Sequence, residues 1–123
     1  MNLSEARTAL AAAVSEIHED VTCVSHPVPG NLRVGDAWVT AGRRTYSPRL
    51  RADFQVLSAF VVLGADERQA DTLVDAWSGP LLACVADLYA GDVSVEPQQI
   101  ITTTPVPGAT FALALTATFE LSE

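Results

Sequence analysis

The side chains able to act as nucleophiles, bases or metal ligands are few in this sequence. Those whose type and spacing merit a test are Cys23, Cys84, His18, His26 and a run of carboxylates, Asp66, Glu67, Asp71 and Asp75. His18 and His26 are separated by a turn-breaking segment. No Cys or carboxylate falls at zinc-finger or H-E-x-x-H spacing, so no metal site is expected and both histidines read as surface residues. Ser25 and His26 are adjacent, and neighbours along a strand point to opposite faces, so they are not expected to form a Ser–His couple. The carboxylates include i, i+4 spacings, which acid–base chemistry could use. They crowd the first half of an exposed helical pattern and read instead as a solvated acidic face. G-x-S-x-G is absent, as is G-x-x-x-x-G-K-[ST], and the chain contains no lysine. No catalytic residue, metal ligand or cofactor is therefore assigned.

One constellation stands apart from this background. In "AGRRTYSPRLRAD", residues 41–53, Arg43, Arg44, Arg49 and Arg51 surround Tyr46 and Pro48. These are four of the seven positive charges in a chain of net charge −8. Without residues 43–51, three positive charges face fifteen negative ones, a remainder of −12. The stretch could be a solvated hairpin with no partner. It could contact nucleic acid, with Tyr46 stacking on a base. It could also dock on an acidic protein surface, because arginine forks pair with carboxylates. The acidic remainder disfavours general nucleic-acid binding and anionic membrane surfaces. An interface with an acidic surface is the reading adopted, with Arg43, Arg44, Tyr46, Arg49 and Arg51 as its residues.

The elements that must position this stretch follow from hydrophobic period. Leu3, Ala6, Leu10, Val14 and Ile17 make one helical stripe over 3–18, with Asn2 as N-cap and Glu5 completing a capping box. "DVTCVS" (20–25) is a short strand stopped by "HPVPGN" (26–31). "GDAWVTAG" (35–42) is a second strand, with the basic segment after it as a hairpin tip or exposed loop, since Pro48 cannot sit in a central strand. "ADFQVLSAFVVLG" (52–64) is apolar on both faces, as a covered central strand would be. Residues 65–91 turn helical, with Leu73, Trp77, Leu81, Val85 and Leu88 on one stripe and Asp66 or Ala65 at the start. Gly79-Pro80 should kink or split that helix, and Gly91 suits its C-cap. "DVSVEPQQIITTT" (92–104) reads as a strand with Val93 and Val95 inward and Pro97 marking an edge. "PVPGA" (105–109) is a turn, and "TFALALTATFELS" (110–122) alternates cleanly. Trp38 and Trp77 are expected to serve packing.

The predicted order is α-β-β-β-α-β-β, a single α+β domain over 1–123. Its mixed or antiparallel sheet has about five strands, with two helices on one face. The length suits one core, and 49% of residues are hydrophobic. Two cysteines make no disulfide framework and read as small buried hydrophobes in a reducing compartment. "ALAAAV" lacks a basic region before it and is not expected to be a leader. The longest apolar run falls short of the ~20 residues that span a bilayer. A cytosolic protein that stays off membranes is expected. One demand is left over. The strand at 52–64 wants cover on both faces and two helices supply one, so a curled sheet or a neighbouring subunit must supply the other.

The whole-chain pattern is similar to a known family. It runs from an N-terminal helix through "VPGNLRVGDAWV", the basic hairpin, "FQVLSAFVVLG", "DERQADTLVDAW" and "VSVEP" to the closing "TFALALTATFEL". In this order of elements, the chain resembles the small tail terminator (tail completion) proteins of long-tailed bacteriophages, especially those of actinobacterial hosts. The resemblance implies a structural virion protein, not an enzyme. It implies a homohexameric ring at the head–tail junction, assembled in the host cytoplasm, that caps the tail tube and ends its polymerisation. The partners would be the major tail (tube) protein on one side and the head-completion or stopper protein on the other, with DNA in transit through the lumen. An acidic lumen would let that DNA slide. The alternatives are another connector or stopper, a tail tube subunit or, from a different class, a small-molecule-binding or enzymatic α+β domain.

Overall fold

A computed structural model of the chain describes residues 2–26, 33–88, 91–102 and 108–121. Helix α1 (Leu3–Ser15) opens with the expected cap. The Asn2 carboxamide accepts from the Glu5 amide at 2.8 Å, and the Glu5 carboxylate accepts from the Asn2 amide at 3.3 Å. The helix stops three residues short of the predicted end. There the Ser15 hydroxyl turns back to the Ala11 carbonyl and also holds the Cys23 amide at 2.9 Å. That second bond ties the helix end to strand β1 (Thr22–Val24).

Strands β2 (Asp36–Ser47) and β3 (Ala52–Gly64) form a long hairpin. The strand character of β2 runs on through Arg43–Ser47, where the sequence suggested a tip or loop, and Pro48 falls in the turn itself. Helix α2 (Glu67–Cys84) follows with Asp66 as N-cap, then a 3-10 turn (Ala86–Leu88), β4 (Gly91–Thr102) and β5 (Gly108–Leu121). The expected split at Gly79-Pro80 does not occur, because α2 is continuous through Pro80. Gly91 does not cap the helix. Val85 does, and Gly91 opens β4. Of the turns read from sequence, 27–31 and 105–107 lie outside the described residues, as do 103–104 of the predicted strand.

The sheet has five strands in the order β1-β2-β3-β5-β4. β1 pairs parallel with β2, and every other pair is antiparallel. This is the α+β order α-β-β-β-α-β-β, with both helices on one face. Ala6, Leu10 and Val14 of α1, and Trp77 and Leu81 of α2, meet Leu57, Ala59, Val61 and Leu63 of β3 and Leu113, Leu115 and Phe119 of β5. Removing each large side chain of this set from water stabilises the fold by about 1.5–3 kcal/mol, before entropy is counted. Gly35 locks the end of the sheet near α1. Its φ is +93°, and a Cβ there would lie 2.0 Å from the Asp20 carbonyl oxygen. Its amide reaches the Val62 carbonyl at 2.9 Å, and its carbonyl takes the Thr22 amide at 3.0 Å.

Candidate functional site

The five predicted interface residues come together on one structure, the end of the β2–β3 hairpin. Pairing between β3 and β5 ends at Asp53 and Leu121, while β2 and β3 stay paired to Ser47 and Ala52. Only Ala52 and the turn at 48–51 extend past that pairing, and this hairpin end, from Arg43 to Arg51, forms the arm. Arg43, Arg44, Tyr46, Arg49 and Arg51 are all exposed. So are two large apolar groups, Tyr46 at 58% and Leu50 at 66% relative exposure. Arg44 is held by its own chain, with Nη2 3.2 Å from Asp53 Oδ2. Arg43, Arg49 and Arg51 make no ion pair among the described residues. Arg51 turns the chain with a left-handed φ of 53°, a conformation that disfavours side chains other than Gly, Asn and Asp.

A β-bulge aims this arm. Between Ala41 and Arg44, β2 carries one residue more than the facing part of β3. Such an insertion bends the strand and increases its twist. The bulge is stitched by Gln55, the one buried polar side chain among the described residues, at 2% exposure. Its Nε2 donates to the Gly42 carbonyl and to the Val56 carbonyl, both at 2.9 Å. Hydrophobic period alone does not single out Gln55. A single glutamine inside an apolar run was the available signal, since a buried amide has to find partners.

The second face of the sheet is the other surface in question. Across it run Trp38, Phe60, Ala114 and Glu96, then Thr40, Ser58, Thr116 and Ser94. Trp38 and Phe60 stack with ring centroids 5.8 Å apart, and both are half-buried. Trp38 therefore lies on this second face and not between sheet and helices. Trp77 is the core tryptophan. The strand edges are also open. β1 covers β2 only from Asp36 to Trp38, and beyond that β2 has no strand on its outer side among the described residues. Arg7 fills the gap where β1 ends. Its Nη1 donates to Ser25 O at 2.8 Å and to Val39 O at 2.9 Å. β4, carrying Pro97, is the opposite edge, as the proline suggested.

The remaining candidates are chemically quiet. Both cysteines are free and half-buried. Burial, with Cys84 nearby, pushes the Cys23 thiol up to about 12, and burial pushes Cys84 up to about 11. Thiols so raised stay protonated near neutral pH and are poor nucleophiles. An open groove of about 300 Å³ between the helices is lined by Ala13, Glu16, Ile17, Pro80, Ala83 and Cys84, and offers few convergent polar groups. Asp66, Glu67, Asp71 and Asp75 are exposed, as the acidic-face reading required. His18 is exposed and tilts against Trp77, with ring centroids 5.8 Å apart. The Ser–His expectation needs correction. Ser25 Oγ lies 3.1 Å from His26 Nδ1, because β1 ends at Val24 and the chain bends there, so strand alternation no longer applies. The pair is on the surface, and among the described residues no carboxylate orients the ring.

Among the described residues no helix is long and apolar enough to cross a membrane, and no group of three or more His, Cys, Asp or Glu could hold a metal ion. No family model matches the chain, and no curated protein matches it.

Proposed function

We propose that the chain is a ring-forming virion protein of the tail-terminator kind. In this reading it is not an enzyme. It assembles in the host cytoplasm as a homohexamer at the head–tail junction and caps the tail tube of a long-tailed phage. It ends addition of the major tail protein and offers the opposite side to the head-completion or stopper protein. DNA passes through the hole in transit. The resemblance of the whole chain to that family supports this reading.

The observation that carries it is the one-sided cover of the sheet. The helices bury one face, while the other is buried at Val62, Ala112 and Ala114 but presents half-buried Trp38, Val56 and Phe60 between two edges free of strand partners among the described residues. Such edges and faces are managed in nature by covering or pairing them, and a ring of identical subunits does both. Native mass spectrometry and negative-stain microscopy of the purified chain test the proposal. Single closed rings of six are expected. Extended tubes would make it a tube subunit instead, and a stable monomer would remove the ring altogether and favour a small-molecule-binding domain.

A further inference from the structure

We infer that copies of this chain join head to tail, the basic arm of one seated on the acidic far end of the next. The inference rests on the ring reading and names the contact that would build it.

The two surfaces lie at opposite ends of one strand. β3 runs from the arm at Ala52 to Gly64, 13 residues. At about 3.3 Å per residue that is roughly 40 Å. Beyond Gly64 stand Asp66, Glu67 and Asp71, lining a shallow concavity of about 510 Å³ together with Arg68. The bonds of Gly35 to Thr22 and Val62 bring the α1–β1 loop, with exposed Glu19 and Asp20, to the same end. No arm can fold back over that distance, so Arg43, Arg49 and Arg51 cannot meet the carboxylates of the far end within one chain, and Arg44 pairs locally with Asp53.

The surfaces match in more than charge. The arm carries Tyr46 and Leu50 exposed among arginines. The far end carries Val34, 42% exposed, beside Gly64 and next to the acidic concavity. Each surface thus sets an apolar group among charges mainly of one sign, with Arg33 and Arg68 standing among the carboxylates of the far end, and the prevailing signs are opposite. Opposite charge on distant surfaces steers association and fixes orientation. Because donor and acceptor are different patches, the contact is heterologous, the type that closes into a ring when its rotation closes. A nucleic-acid partner would account for the arginines and leave the acidic concavity and Val34 without a role.

Two charge-reversed variants test the pairing. One is Arg43→Glu with Arg49→Glu, which spares Arg44 and its bond to Asp53. The other is Glu67→Arg with Asp71→Arg, which spares the capping Asp66. Native mass spectrometry at low salt reads assembly, and circular dichroism checks the fold. If the second variant loses helical signal, Asp71→Arg alone, one turn inside α2, replaces it. Each variant alone is expected to self-associate on the order of tenfold or more weakly. Mixed in equal amounts, the two should recover the wild-type stoichiometry with alternating composition. In the mixture each reversed arm meets a reversed end, and each native arm a native end. Rings that persist in either variant, or no recovery on mixing, overturn this contact and leave the ring reading standing. A monomeric wild type overturns both. Intact rings that lose only affinity for a single-stranded DNA oligonucleotide would assign the arm to nucleic acid instead.

Discussion

On one face of β3, Leu57, Ala59, Val61 and Leu63 have no solvent exposure. On the other, Val62 is buried at the far end, while Phe54, Val56, Ser58 and Phe60 are half-buried. The strand has large apolar side chains on both sides, yet helices cover only one. The first face supplies the free energy of folding, since burial scales with apolar area removed from water. The second face holds area that folding leaves partly in water, where a partner can still remove it. The same strand thus separates the face that folding buries from the face on which the proposed assembly would draw.

Deleting side chains on the two faces should therefore give different results. Leu57→Ala is expected to cost about 3 kcal/mol, lost transfer energy plus a cavity that cannot collapse between sheet and helices. Urea denaturation reads it. Gln55→Ala should come next, at roughly 1–2 kcal/mol, because it empties a buried side-chain site and leaves the Gly42 and Val56 carbonyls at the bulge without their donor. It should also weaken self-association, because the arm would lose the stitch that aims it. Phe60→Ser should lower subunit stability by only about 1 kcal/mol, the stacking on Trp38 and part of a half-buried ring. Its larger effect should be on ring formation, read by native mass spectrometry. If Phe60→Ser cost as much stability as Leu57→Ala, the second face would be core and the contrast would fail.

How much of this was legible in sequence depends on the range of the forces involved. Elements set by local period and capping were readable. Asn2 with Glu5, Asp66 at the head of α2 and the limits of β3 are where side-chain alternation and caps put them. The two side-chain sets of β3 and of β5 were also readable, because a period of two leaves no choice, but which face of β3 the helices cover was not. Contacts set by distant residues were not. The length of β2 depends on its pairing with β3 from Arg44 to Ser47, which no local signal in Arg43–Ser47 announces. Arg7 reaching Val39, and Gln55 reaching Gly42, span 32 and 13 residues. The arginine cluster was visible as composition, but its separation from the acidic end of the molecule emerged only from the direction of β3.

The covering layer repeats the contrast on a smaller scale. In α2, Trp77 and Leu81 are buried while Gly79 and Pro80 between them are exposed. The sequence predicts a kink or a split at this dipeptide, and the helix is not split. Two physical reasons account for this. Pro80 removes the bond to the Ala76 carbonyl, but Ala76 is also exposed, so water can take that acceptor. A proline ring also clashes with the Cβ of the residue before it when that residue is helical. Gly79 has no Cβ to clash. An exposed helical glycine normally gives about 1 kcal/mol when replaced by Ala, and nothing in this fold lies within 4 Å of the new methyl group, chain neighbours aside. With Pro80 present that gain should vanish or change sign. In a Pro80→Ala background it should return. A double-mutant cycle on thermal or urea unfolding measures the difference, expected at about 1 kcal/mol of coupling. Additive effects would mean that α2 passes through Pro80 for some reason other than the missing Cβ of Gly79.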